Sequence, residues 1–217
     1  MTSVWGFDPS KCTGWAIFSP EKRRRDDNCS HVICGVLEMP PKSDHYFTGD
    51  QISQQVQNLF VSHGKPDFVV LEEQAMAQIG NSSADGMLYP WIASIAIVSV
   101  VANWGVPYAT LPSSTWRKFS FGEGYKPPQK PVMVKGVQAL DKRGKPKFKN
   151  DWKSPAIEKC ELLGIQLPRL KVHADDAAEA ALLSMCWEHP EIKFHAGRYR
   201  QPWIDLRQRR NDRGVAA

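Results

Sequence analysis

The sequence predicts an α/β domain in which a mixed five-stranded sheet is covered by helices on both faces. Three features point to it: short apolar runs split by turn residues near the start, a switch to helical periodicity, and a compact apolar run directly after that helix. Val4 to Asp8, Gly14 to Phe18 and His31 to Leu37 are the first runs. Pro9, Ser10, Pro20 and Asn28 lie between them, so the connections are short and the three strands form an antiparallel meander. From Gln51 to Val61 the period changes: Ile52, Val56, Leu59 and Phe60 share one helical face, and Gly64 with Pro66 ends the element. Asp67 to Glu72 reads as a buried strand, expected parallel to the first because it follows a helical crossover.

Ser82 to Asn103 looks helical and is apolar on most sides, with Pro90 marking the start of its regular part. Such a helix is either central to the core or half of a dimer interface, and the sequence leaves both open. Pro107 to Leu111 supplies a fifth strand, and Trp116-Arg117-Lys118 a helical turn behind the cap signals Ser113-Ser114-Thr115. Between Gly122 and Trp152 glycine, proline and lysine alternate without periodicity, which predicts a mobile basic insertion containing at most a short helix at Val132 to Leu140. Ser154 to Leu163, ended by Gly164, and Asp175 to Trp187, ended by His189-Pro190, are the last helices. The expected organisation is one domain over 1–192 with an insertion at about 122–152, then a basic tail over 193–217. Meander, helix, parallel strand, helix, strand, helices is the order of the RNase H-like fold.

Composition narrows the function classes. The 217 residues, 42% hydrophobic, suffice for a proper core, and the formal charge of +5 suits a polyanionic partner. Lys and Arg concentrate between Trp116 and Lys159 and again from Lys193 to Arg213. Cys12, Cys29, Cys34, Cys160 and Cys186 are an odd set with no CxxC pair, which argues against a disulfide framework and a structural zinc; Cys29, His31 and Cys34 match no common zinc spacing. No signal peptide opens the chain, and the apolar stretch from Trp91 to Trp104 is too short for a bilayer, so a cytoplasmic protein without membrane contact is expected.

Four acids stand at the expected edges: Asp8 and Glu72 each close an apolar run, and Asp176 with Glu179 opens a helix. Gathered carboxylates raise each other's pKa unless a cation offsets them, and a hard, oxygen-seeking dication is the natural one. Three residues apart, Asp176 and Glu179 share a helical face, with Asp175 about 100° away as an alternate. Glu72 and Glu73 leave a strand end on opposite sides, so only one of them joins Asp8; the end of the apolar run favours Glu72, with Glu73 the alternate. Singly, each acid also fits a plainer role as a turn, strand-end or helix-start residue.

Gly6-Phe7-Asp8-Pro9-Ser10 with Thr13-Gly14-Trp15-Ala16, Val70-Leu71-Glu72 with Met76, and Asp176-Ala177-Ala178-Glu179-Ala180 resemble, in order, the three acidic motifs of RuvC-type Holliday junction resolvases, most of all divergent phage-type members. Pro112 to Lys118 is similar to a segment that phage-type members carry after the fifth strand. Glu179 stands where the family more often has Asp, which sets its carboxylate back by one methylene. The resemblance implies a homodimeric endonuclease of a bacterial or phage-infected cell that cuts four-way junctions and other branched DNA by paired nicks. It also implies two Mg2+ ions per site, with Mn2+ as substitute and no small-molecule cofactor. In that scheme Asp8 bridges the ions, Glu72 and Asp176 bind one each, and Glu179 completes the set or orients water.

Arg117, Lys118, Lys126, Lys130, Lys145, Lys147, Lys149 and Lys153, with Lys142 and Arg143, are the expected phosphate contacts, although lysine-rich loops are often merely solvated. Tyr125, Phe148 and Trp152 interleave with them and suit stacking on unpaired bases, while Trp116 and Trp152 suit anchoring of the loop as well. His173 precedes the acids and reads as a loop residue. Two rivals are a non-catalytic module for branched nucleic acid and a nuclease for RNA-containing hybrids. An ASKHA-type phosphotransferase needs a second domain and glycine-rich nucleotide loops that are not seen.

Overall fold

The structure, a computed structural model, describes residues 2–23, 29, 31–74, 84–134, 136–141, 143–189 and 192. Its central sheet has the order β3-β2-β1-β4-β5, built from β1 (Val4–Asp8), β2 (Thr13–Phe18), β3 (Ile33–Leu37), β4 (Phe68–Glu72) and β5 (Tyr108–Leu111). β1, β2 and β3 pair antiparallel, and β4 and β5 add in parallel to β1, as the meander and crossover require. This is the mixed five-stranded sheet that the sequence predicts.

Helices cover both faces. On one side lie α2 (His45–His63) and α3 (Ala84–Asn103), whose Ile52, Val56, Phe60, Ala93, Ile97 and Val101 pack on Trp5, Phe7, Val69 and Leu71. On the other, α5 (Lys153–Leu162) and α6 (Lys171–Met185) pack on Val4, Ala16, Phe18, Phe68 and Val70. Strand side chains alternate between the two cores, so β1 sends Val4, Gly6 and Asp8 toward α6, and β4 sends Phe68, Val70 and Glu72 the same way. A short α1 (Pro20–Arg23) and α4 (Ser113–Phe121) complete the domain.

Helix α6 lies unusually close to the sheet because neither side has bulk between them. Ala177, Ala178, Ala180 and Ala181 face inward, while a Cβ on Gly14 would sit 2.5 Å from the Asp176 carbonyl carbon and one on Gly6 would sit 2.8 Å from the Ser184 nitrogen. Both glycines are therefore contact surfaces for the helix backbone.

Several boundaries differ from expectation. α2 starts six residues early because Asp44 accepts a hydrogen bond from the Phe47 N–H at 2.7 Å and caps it. Pro90 lies inside α3, and α4 starts at Ser113 behind Pro112 with no side-chain cap, so the serines and Thr115 are first-turn residues. α6 begins at Lys171, which puts Asp175 and Asp176 inside the helix, with His173 also helical. The larger correction concerns the insertion. It is neither an irregular loop nor a helix at 132–140: β6 (Gln129–Pro131) pairs with β9 (Phe148–Asn150), and β7 (Met133–Val134) with β8 (Val137–Gln138). Alternating lysines and apolar residues hid period-2 pairing behind a composition that reads as loop. Met76, Lys142 and the basic tail at 193–217 lie outside the described residues.

Candidate active site

The register Phe7↔Leu71 sets Asp8 beside Glu72 at the ends of adjacent parallel strands, on the face that α6 covers. Helix α6 brings Asp176 and Glu179 to the same point, one helical turn apart. Carboxylate oxygens of Asp8, Asp176 and Glu179 all lie within 4.8 Å of one another, the only such group of three or more metal-capable side chains among the described residues. Glu72 is tied to the cluster electrostatically. Its carboxyl is pushed up to about 7, first by burial and then by Glu179, against the pull of the Trp116 hydrogen bond and Arg117.

The same forces act on its neighbours. Burial, then the charges of Glu72, Glu179 and Asp176, holds Asp8 well above the usual carboxylate range, with Lys153 opposing. Burial also raises Glu179, against Arg117 and Lys153. Asp176 and Glu179 are each only 6% exposed, so solvent does little to relieve the repulsion.

Protein cations and an indole offset part of this charge. Lys153 Nζ donates to Asp176 Oδ1 at 2.7 Å and lies 3.7 Å from Asp175 Oδ2. Burial alone would lower the Lys153 pKa; the hydrogen bond and charge of Asp176, with Glu179 and Asp175, raise it instead. Arg117 donates to Glu179 Oε1 at 3.3 Å, its guanidinium held between the Trp116 ring at 5.0 Å and the Trp152 ring at 4.8 Å. Trp116 Nε1 donates to Glu72 Oε2 at 2.7 Å, fixing that side chain. Trp116 is thus a residue of the site as well as of the core, and Trp-Arg at neighbouring positions behind a strand end was the only sequence signal of it.

The alternates fall elsewhere. Glu73 accepts from Thr110 Oγ1 at 3.4 Å, as strand alternation requires, and Asp175 meets Lys153 at the edge of the cluster. His173 Nδ1 is 3.5 Å from Glu38 Oε1. Of the expected phosphate contacts, Arg117 and Lys153 are drawn into the acidic site, Lys118 pairs with Glu123 at 3.1 Å, and Lys130 pairs with Asp151 at 2.7 Å. Lys126, Lys145, Lys147 and Lys149 are exposed. Cys29 is buried in the α6-side core, and the Cys34 thiol donates to the Gln166 carbonyl at 3.5 Å.

No protein-family model and no curated protein matches the chain. Solved structures do. Thermus thermophilus RuvC in complex with Holliday junction substrate aligns at a TM-score of 0.55 and 14% identity, covering 87% of this chain and 93% of that one. A second Thermus thermophilus RuvC structure aligns at 0.54 and 17% identity, covering 86% and 95%. The chain has the RNase H-like fold of RuvC. The yeast mitochondrial Holliday junction resolvase Ydc2 also aligns, at a TM-score of 0.50 and 13% identity over 95% of this chain and 82% of that one. Around the RuvC fold in this chain, no described helix is long and apolar enough to cross a membrane.

The raised carboxyls have a measurable consequence. A carboxyl whose folded pKa lies above its unfolded value favours folding while protonated, so its contribution is present below the ordinary range and is lost as pH rises through the folded value, about 7 for Glu72. In chelator, the melting temperature should therefore fall between about pH 5 and about pH 8. At the upper end, a divalent cation at about 100 times its Kd should add about 2.7 kcal/mol, on the order of 5 to 10 °C for a chain of this size. A scan that is flat in pH and insensitive to Mg2+ or Mn2+ would remove the site's claim to bind metal.

Proposed function

We propose that the chain is a divalent-metal-dependent endonuclease for branched DNA, four-way junctions first, acting as a homodimer. The observation that carries this reading is the convergence of Asp8, Glu72, Asp176 and Glu179 from two strands and a helix onto one edge of a RuvC fold. The donor set fits a hard dication: all oxygen, mostly buried, and too crowded to ionise fully without added positive charge. Mg2+, or Mn2+ in its place, would be held by Asp8, Glu72, Asp176 and Glu179. Bound there, such ions would supply charge neutralisation for an in-line displacement at phosphorus and a lowered pKa for the attacking water.

The chain's own residues do the positioning. Trp116 fixes Glu72, and the paired strand ends hold Asp8 and Glu72 at constant separation. Arg117, clamped by two indoles, and Lys153 are the nearest cations for an incoming phosphate, each now bonded to a carboxylate that a metal would otherwise neutralise. Phosphate contacts of this kind fix register on the nucleic acid without reading its sequence. Expected products on a synthetic four-way junction in Mg2+ are two symmetric nicks. Equal cutting of linear duplex, or of an RNA–DNA hybrid in preference to the junction, would overturn the substrate assignment.

Paired nicking needs two sites, and the helix pair α2–α3 offers the surface for a second copy. α3 buries one face against the sheet, yet leaves Leu88, Trp91 and Ile95 exposed; Leu88 and Ile95 line, with Tyr46 of α2, a groove of about 510 Å3. The sequence left core and interface as alternatives; in this reading the helix serves as both. Ile95→Glu, at a position 62% exposed, should leave the fold intact and turn a sedimenting dimer into a monomer that makes uncoupled nicks. A wild type that sediments as a monomer even on junction DNA would end the paired-nick mechanism.

A further inference from the structure

The insertion leaves and rejoins the domain beside the acidic site. At its root the Asp151 N–H donates to the Pro128 carbonyl at 2.8 Å and Lys130 reaches Asp151 at 2.7 Å; the next residues are Trp152, against Arg117, and Lys153, on Asp176. From this root β6 and β9 run outward as a two-stranded stem. Past the stem the ribbon forks, with Val132, Ala139 and Lys147 joined by backbone hydrogen bonds. One arm is the hairpin β7–β8; the other is the bridge Leu140↔Pro146.

The stem has two unlike faces. Lys130 stands opposite Lys149, with Lys147 two residues along, whereas Pro131 stands opposite Phe148 on the other face. Like charges paired across a ladder repel; Asp151 offsets Lys130, but among the described residues no carboxylate forms an ion pair with the Lys145, Lys147 or Lys149 ammonium. The fork carries Val134 opposite Val137, 57% and 70% exposed, with Met133 and Leu140 also open to solvent. Aliphatic side chains held in water at the end of a lysine-lined ribbon are costly unless a partner covers them. That partner must present negative charge along the stem and apolar surface at the tip. A second ribbon would set lysine against lysine, whereas DNA at a branch point offers phosphates and, where stacking is interrupted, open base faces.

We propose that the forked ribbon is a DNA wedge: its lysine face follows phosphates while Val134 and Val137 enter between bases at the branch and part them. This rests on the nuclease reading of the neighbouring site and adds how the substrate is opened. From the root at Pro128 to Val134 at the tip is six residues, roughly 20 Å at about 3.3 Å per residue. At about 3.4 Å per base step, the parted bases lie within about six steps of the nick.

The test is the fluorescence of 2-aminopurine placed singly along the arms of a synthetic junction, with the full chain and chelator present so that no cutting occurs. Wild type should raise the signal several-fold at one or two positions inside that window. Val134→Ser/Val137→Ser should keep its melting temperature and bind within about threefold of wild type, yet lose the rise; Val137→Phe should retain it. Lys147→Gln/Lys149→Gln should lower the slope of log K against log salt by about two. A rise without any nicking in Mg2+ leaves the wedge standing and removes the nuclease reading. Nicking without a rise, an undiminished rise in the double-serine variant, or a change in that variant's sedimentation without DNA overturns the wedge.

Discussion

Replacing Asp8 with Asn is expected to abolish nicking of a four-way junction while making the metal-free protein more stable at neutral pH. The two effects share one cause. Asp8 is the acid whose ionisation burial and three other carboxylates oppose, so a neutral isostere relieves repulsion within the cluster. The same change removes one of the oxygen charges that would hold a divalent cation at this site. Several kcal/mol of transition-state stabilisation should go with it, a loss on the order of 10³-fold or more. Junction affinity should hold or tighten, since a negative charge leaves the phosphate's path. Gel-resolved nicking, a melting curve in chelator and a titration of binding read the three quantities separately. Equal cleavage by wild type and variant would falsify the assignment of the site.

Gly14→Ala should damage activity from outside the carboxylate set. The added Cβ would fall 2.5 Å from the Asp176 carbonyl carbon and closer still to its oxygen, and both belong to a helix backbone that cannot swing aside like a side-chain tip. α6 would have to lift from β2. Overpacking of this kind costs about 1–3 kcal/mol in stability. A displacement of about 1 Å at a reacting centre can cost on the order of 10²-fold in rate. The expected variant is folded, a few degrees less stable, and weakly active. Gly49→Ala is the control: in α2 its Cβ would meet the Ile92 Cγ2 atom at 3.4 Å and should be neutral or slightly stabilising. A Gly14→Ala protein as active as wild type would mean that α6 need not sit where it does.

Both variants show what could and could not be read from the residues. Period-2 alternation decides which way Asp8 and Glu72 face, and because it is local it was legible. The same alternation sends Glu73 to Thr110 on the other side. Helical spacing likewise joined Asp176 to Glu179. The part played by Gly6 and Gly14 was not legible, because it depends on how closely a helix some 160 residues later approaches the sheet. Lys153 and Arg117 were assigned to phosphate on charge alone; their carboxylate partners come from other elements, and no spacing rule connects them. The ribbon was missed for a different reason. Its pairing partners are short segments of two or three residues, and glycine, proline and lysine content outweighs so weak an alternation.

The division of the four carboxylates among β1, β4 and α6 also bears on when during biosynthesis the acidic cluster can assemble. A nascent polypeptide still short of residue 179 lacks at least one of the acids, and until α6 docks over Gly6 and Gly14 the remaining ones have no common focus. A partly made chain therefore offers a divalent cation no complete set of carboxylates. The set is completed only when that helix seats against the sheet.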